Sequence, residues 1–134
     1  MKKIILSALL ISNVLFAIDN MAEKVKTQNQ EIVKLVAKEI SSQLPQKIDD
    51  FTQLVKLEAK GQTLLYTYEI NTGSKSDEAV IKEDKSRMKK AVTKGICDSS
   101  ERFLTNGIDI SYIYASSKSK KELFRFDVSK KDCM

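Results

Sequence analysis

The sequence contains no histidine and no tryptophan, and among its 134 residues there are one proline and two cysteines. Without histidine the commonest general base and metal ligand is missing. A zinc site would have to be completed by Asp and Glu around the cysteines, and a cysteine nucleophile would lack its usual basic partner. No C-x-x-C pair offers redox chemistry, no Gly-rich loop offers a phosphate cradle, and no paired acidic motif marks a cleft. These absences argue against an enzyme, and the expectation is a chain with no catalytic residue, no cofactor, no metal and no small-molecule substrate.

What is present begins with a leader. MKKIILSALLISNVLFA, residues 1–17, opens on Lys2 and Lys3, continues with a mostly apolar run from Ile4, and ends on Phe16-Ala17, as a secretory signal peptide does. The run is shorter than the roughly 20 apolar residues that span a bilayer. An uncleaved N-terminal anchor is the other reading. No cysteine lies near residue 18, so lipidation at a mature N-terminal Cys is not expected, and membrane association would be indirect. Removing 17 residues from 134 leaves 117, enough for one small domain with a modest core. Losing Lys2 and Lys3 lowers the net charge from +5 to +3. Lysines alternate with Asp and Glu along the chain, which describes a solvated mixed-charge surface and not a nucleic-acid site.

An exported domain of this size gains stability from a bridge. Cys97 and Cys133 lie 36 positions apart, and a disulfide between them would contribute roughly 3–4 kcal/mol by restricting the unfolded chain. Zinc ligation and nucleophilic catalysis are the weaker alternatives, for the reasons given above.

Periodicity divides the rest. Ile18 to Lys26 is polar and reads as a flexible or helical extension over residues 18–30, followed by a single domain over 31–134. From about Thr27 to Gln43, Ile32, Val33, Val36, Ile40 and Leu44 recur at the spacing of an amphipathic helix, which Pro45 ends. Asp50–Ala59 switches to period two, with Phe51, Val55, Leu57 and Ala59 on one face. Lys60-Gly61 turns the chain, and Gln62–Asn71 alternates again through Leu64, Tyr66, Tyr68 and Ile70. After the turn-rich stretch Asn71–Ser76, helical spacing returns over Asp77–Lys94, with Gly95 as its stop. Asp98, Ser99 or Ser100 caps a short helix over Glu101–Asn106, ended by Gly107. Two strands follow, Ile108–Tyr114 and Phe124–Val128, joined by the polar loop Ser116–Lys121. The expected fold class is α+β, in the order α-β-β-α-α-β-β, with two hairpins pairing into one antiparallel sheet of four to five strands under the helices.

The runs ISSQLPQKIDDFTQLVKLEAKG, CDSSERFLTNGIDISYIY and FRFDVSKKDC, in that order, resemble the β-type pilotins of bacterial type II secretion, the AspS or GspS-beta family. The resemblance covers about residues 37–133. It implies an α+β domain with a Cys97–Cys133 bridge and a non-catalytic role: binding the C-terminal segment of a secretin, the outer-membrane pore protein, and guiding its targeting or assembly. A short tail that folds as an amphipathic helix in an apolar groove fits this role. The candidate lining is Val33, Val36 and Ile40 of the first helix with Tyr66, Tyr68, Tyr112 and Tyr114, since tyrosine suits half-buried interfaces. The same tyrosines would also serve simply as packing beneath the helices. Pilotins are typically lipoproteins, and this sequence departs from them there. The other function in play is a periplasmic inhibitor or immunity protein blocking a lysozyme-like or toxin enzyme, with Ser116–Lys121 as its protruding element.

Overall fold

Val33, Leu64, Ile96, Ile108 and Ile110, five apolar side chains scattered through the sequence, are almost wholly removed from water. The fold is the arrangement that brings them together. A computed structural model describes residues 2–134, with side-chain surroundings from Asn20 onward; the side chains of the leader expected at 1–17 lie outside the described residues. Helix α1 (Lys2–Ser41) leads into β1 (Gln46–Lys47), β2 (Thr52–Lys60) and β3 (Thr63–Ile70). Helices α2 (Asp77–Ser99) and α3 (Glu101–Thr105) precede β4 (Asp109–Ser116) and β5 (Glu122–Val128), and a 3-10 turn, Lys130–Cys133, closes the chain.

The strands form one sheet in sequential order from β1 to β5. Gly61, at φ +58°, opens the two-residue turn between β2 and β3, where a side chain would be strained. β2–β3 and β4–β5 are the expected hairpins. The order of elements and the α+β class are as expected; the sheet is mixed, not antiparallel, because β4 runs parallel to β3. The cause is the connection: α2 and α3 carry the chain back across one face before β4 begins, and a helical crossover returns a strand in the same direction.

Two further boundaries differ from the sequence pattern. A bulge between Leu54 and Lys56 inserts one residue into β2 and flips the alternation. Leu54 and Leu57, each 4% exposed, therefore share the covered face, and Val55 leaves it. Helix α2 also passes through Gly95 to Ser99, because Ile96 is buried beyond it and packing outweighs the roughly 1 kcal/mol that a mid-helix glycine costs. Its start is as read: Ser76 caps it, Oγ accepting from the Ala79 N–H at 3.2 Å.

The core lies between the sheet and the helices. Val33 and Ala37 from α1, Val80, Val92 and Ile96 from α2, and Leu104 from α3 meet Leu57, Leu64, Ile110, Phe124, Phe126 and Val128. Cys97 at the end of α2 is bonded to Cys133, Cα to Cα 5.6 Å, which fastens the chain end to the helix layer.

Candidate functional site

The hydrogen-bond pattern of the β2–β3 hairpin orients the whole site. Lys60 and Thr63 flank a two-residue turn, so Leu57 and Tyr66 form a non-hydrogen-bonded pair and the Leu57 carbonyl points to the open side of β2. Ser41 Oγ donates to that carbonyl at 3.2 Å, which fixes the outer flank of α1. Val33 and Ala37, buried against the sheet, mark the inner side of α1; Val36 packs beside them, and Ile32, 37% exposed, lies further round toward solvent. Helix α1 packs on β2 and β3, and α2 packs on β5. Neither helix packs extensively on β4, and we refer to the strip of β3 and β4 between them as the trough.

Its floor is aromatic. Because β3 and β4 run parallel and in register, Tyr66 pairs with Tyr112 and Tyr68 with Tyr114. The ring centroids are 5.0 Å and 5.1 Å apart across the strands, and Tyr68 lies 4.8 Å from Tyr112 on the diagonal. The array continues to Phe126, 6.2 Å from Tyr114, and on to Phe124. Tyr66, Tyr112 and Tyr114 are half-buried and pack at the margin of the core, while Tyr68 is almost covered. Burial pushes the hydroxyls of Tyr66 and Tyr114 up to about 12, the Tyr112 and Asp49 charges adding smaller contributions. Tyr68 is pushed further, by burial first and then by the neighbouring Tyr112 hydroxyl. All three stay neutral at ordinary pH and present ring faces with uncharged polar tips.

One end of the trough is shut by α3, where Leu104 is buried and Phe103 packs beside it. Asn29 Nδ2 braces that end, donating to the Asn106 carbonyl at 2.8 Å and to Gln62 Oε1 at 3.0 Å. The other end opens into a cavity of about 550 Å³ between α2 and the start of β2, lined by Phe51, Ile70, Val80, Asp84, Arg87 and Met88 among others. Phe51 is 67% exposed at its mouth.

The structure thus brings Val36, Ile40 and the four tyrosines to one face, and it puts Val33 elsewhere: fully buried, it holds α1 to the sheet and offers no surface. Phe51, Ile70 and Met88 were not singled out as lining residues. Phe51 had a signal, an aromatic directly after Asp49-Asp50 in a polar turn, but its alternation with Val55 and Leu57 drew it into the strand face. The Ser116–Lys121 loop is tied down instead of projecting. Lys118 Nζ bonds the Gly73 carbonyl, Ser119 Oγ donates to Asp77 at 2.7 Å, and Lys120 Nζ pairs with Glu69 at 2.8 Å. Among the described residues no group of three or more Cys, Asp or Glu gathers to hold a metal, and no helix is long and apolar enough to cross a membrane.

The profile of a family described as a domain of unknown function, DUF8479, matches residues 26–124. No curated protein matches. Three solved structures share the architecture. A protein of Pseudomonas aeruginosa classed as secreted has a TM-score of 0.70 at 14% identity, over 82% of this chain and 96% of its own. The pilotin EpsS of the Vibrio vulnificus type 2 secretion system gives 0.68 at 13%, over 84% and 97%. The type II secretion pilotin AspS of Vibrio cholerae gives 0.66 at 18%, over 84% and 98%. At these identities the likeness is one of fold.

Proposed function

This chain belongs to the DUF8479 family of domains of unknown function and has a pilotin-like fold, and on that premise we propose that it is a non-catalytic, exported binding protein whose trough receives an amphipathic helix from a partner. The partner is the C-terminal segment of a secretin, and the role is to assist that pore's targeting or assembly in type II secretion. What supports the reading is the tyrosine cluster, Tyr66, Tyr68, Tyr112 and Tyr114, packed ring to ring on the helix-facing side of the sheet, three of them half-buried, over a strip where neither helix packs extensively on β4. A surface of this kind keeps apolar ring area near water without burying unpaired charge, and it gains by covering that area with an apolar helix face.

The energetics suit a tail that orders on binding. A disordered segment loses conformational entropy when it folds into a groove, and buried aromatic area has to exceed that loss. The apolar mouth residues Phe51, Ile70 and Met88 extend the same surface past the ends of the strands. Location follows from the role: the domain works in the periplasm, and any association with the outer membrane goes through its partner.

A synthetic peptide from the C-terminus of the host's secretin, titrated into the protein, tests the reading. The expected result is a dissociation constant of about 10 μM or tighter, roughly −7 kcal/mol, with a gain of helical circular dichroism. Absence of binding to every secretin tail that the host encodes would refute it. The blocking of a peptidoglycan hydrolase or a toxin, with no secretin binding, would replace it.

A further inference from the structure

The two edges of the sheet are treated differently. On one side β1 pairs with only the first residues of β2, the bulge at Val55 bends the strand, and Ser41 occupies the Leu57 carbonyl. On the other side β5 runs for seven residues as the terminal strand. Among the described residues no loop backbone bonds to the outer amides and carbonyls of Glu122–Val128. An edge of that length is a template for a further strand.

The flank of α2 above that edge is basic. Val80, Asp84, Arg87 and Met88 of α2 face Phe51 and Ile70, so they mark the inner side of the helix. Lys82, Lys85 and Lys89 lie roughly 160° around from them, past β5, at the three-and-four spacing that aligns side chains on one face. Of the other cations on α2, Arg87 pairs with Asp84 at 3.4 Å and Lys94 with Asp98 at 2.8 Å, while Lys90, next to Lys89, makes no ion pair among the described residues. Among the described residues Lys82, Lys85 and Lys89 make no ion pair, and Lys130 and Lys131 of the final turn add two charges nearby. The acids near this flank are Glu78, one turn before Lys82, Asp132, whose carboxyl feels Lys89, and Asp98, which shares a cleft with Lys89 but is paired with Lys94; β5 itself carries Glu122 and Asp127.

We propose that the outer edge of β5, beneath Lys82, Lys85 and Lys89, is a second docking surface that takes an acidic, extended segment of another protein by strand addition. The spacing fits. Lys85 and Lys89 are separated by about 6 Å along the helix, and alternate residues of an added strand are separated by about 6.6 Å. Carboxylates at alternate positions of the incoming strand would therefore meet Lys85 and Lys89, with Lys82 about 4.5 Å further along the helix, while its backbone bonds β5. This surface is on the far side of α2 from the tyrosine trough and does not depend on what the trough binds.

The test uses the full chain as recovered from cells, isotope-labelled, and an acetylated octapeptide of alternating Glu and Thr. Amide shifts over Glu122–Val128 and along the lysine flank are expected. Two changes should each weaken binding by about tenfold or more: the triple substitution K82E/K85E/K89E, whose exposed positions leave the fold intact by circular dichroism, and N-methylation of alternate peptide amides, which removes strand hydrogen bonds but no charge. The proposal is overturned by any of four outcomes: shifts confined to the trough, equal binding of the Lys-Thr counterpart, undiminished binding of the N-methylated peptide, or sedimentation showing the free protein already dimerised through β5.

Discussion

Asn29 is the residue on which the closed end of the trough depends. Only 4% exposed, it links three elements that sequence separates widely: α1, the β2–β3 turn through Gln62, and the end of α3 through the Asn106 carbonyl. Asn29→Ala removes both bonds and leaves a carbonyl facing the void. The expected loss is about 1–3 kcal/mol, read as a fall in Tm of roughly 5–10 °C. The tyrosines make a second prediction at this scale. Tyr66 and Tyr114 hold their protons up to about 12 in the folded protein, against an ordinary value of 10.0. Between those values the unfolded chain has lost protons that the native state still holds, so stability falls as pH rises. Thermal stability should be insensitive to these groups below pH 10 and decline from there to pH 12, with tyrosinate absorbance appearing together with unfolding. Ionisation of Tyr66 and Tyr114 at pH 10 without loss of structure would contradict the buried array.

Among the elements, the final 3-10 turn is the one least able to stand alone. It buries no residue, and it is held by the bridge to α2 and by the Ser129–Asp132 capping box. Replacing Cys97 and Cys133 with Ser should cost about 2–4 kcal/mol. Hydrogen exchange should quicken first in residues 129–134 and the last turn of α2. The start of α2 at Asp77 and the Gly61 turn were legible in the sequence because each is a local signal, a turn-rich stretch giving way to helical spacing in one case and a glycine at the turn in the other. The bulge at Val55 was not. Val55, Leu57 and Ala59 alternate equally well with or without an inserted residue, and only the pairing partner decides which leucine is covered. The direction of β4 was hidden for a related reason, since strand polarity is set by the path of α2 and α3 and not by anything within Ile108–Tyr114.

For the molecule as a whole, the tyrosine face was legible and its function was not. Alternation put Tyr66, Tyr68, Tyr112 and Tyr114 on one side, but packing beneath helices and lining a trough leave the same pattern. What separates them is where α1 and α2 lie over the sheet. Phe51 tests the distinction, since it is exposed at the mouth and contributes little to folding. Phe51→Ser should change stability by no more than about 0.5 kcal/mol and weaken the secretin-tail peptide by about fivefold to twentyfold, as loss of one partly buried aromatic contact does. Unchanged affinity by calorimetry would place the peptide elsewhere.

The parallel register of β3 and β4 has a consequence for what the floor can discriminate. The two Tyr pairs follow each other two residues apart at like spacing, 5.0 Å and 5.1 Å across, with the rings tilted by 55° in one and stacked at 17° in the other. A rod laid along such a surface meets another aromatic pair after sliding by about 6.6 Å. On the proposed reading, then, the floor supplies adhesion with little address, and Phe51 and Phe103, at the two ends, are the residues expected to set position along the trough.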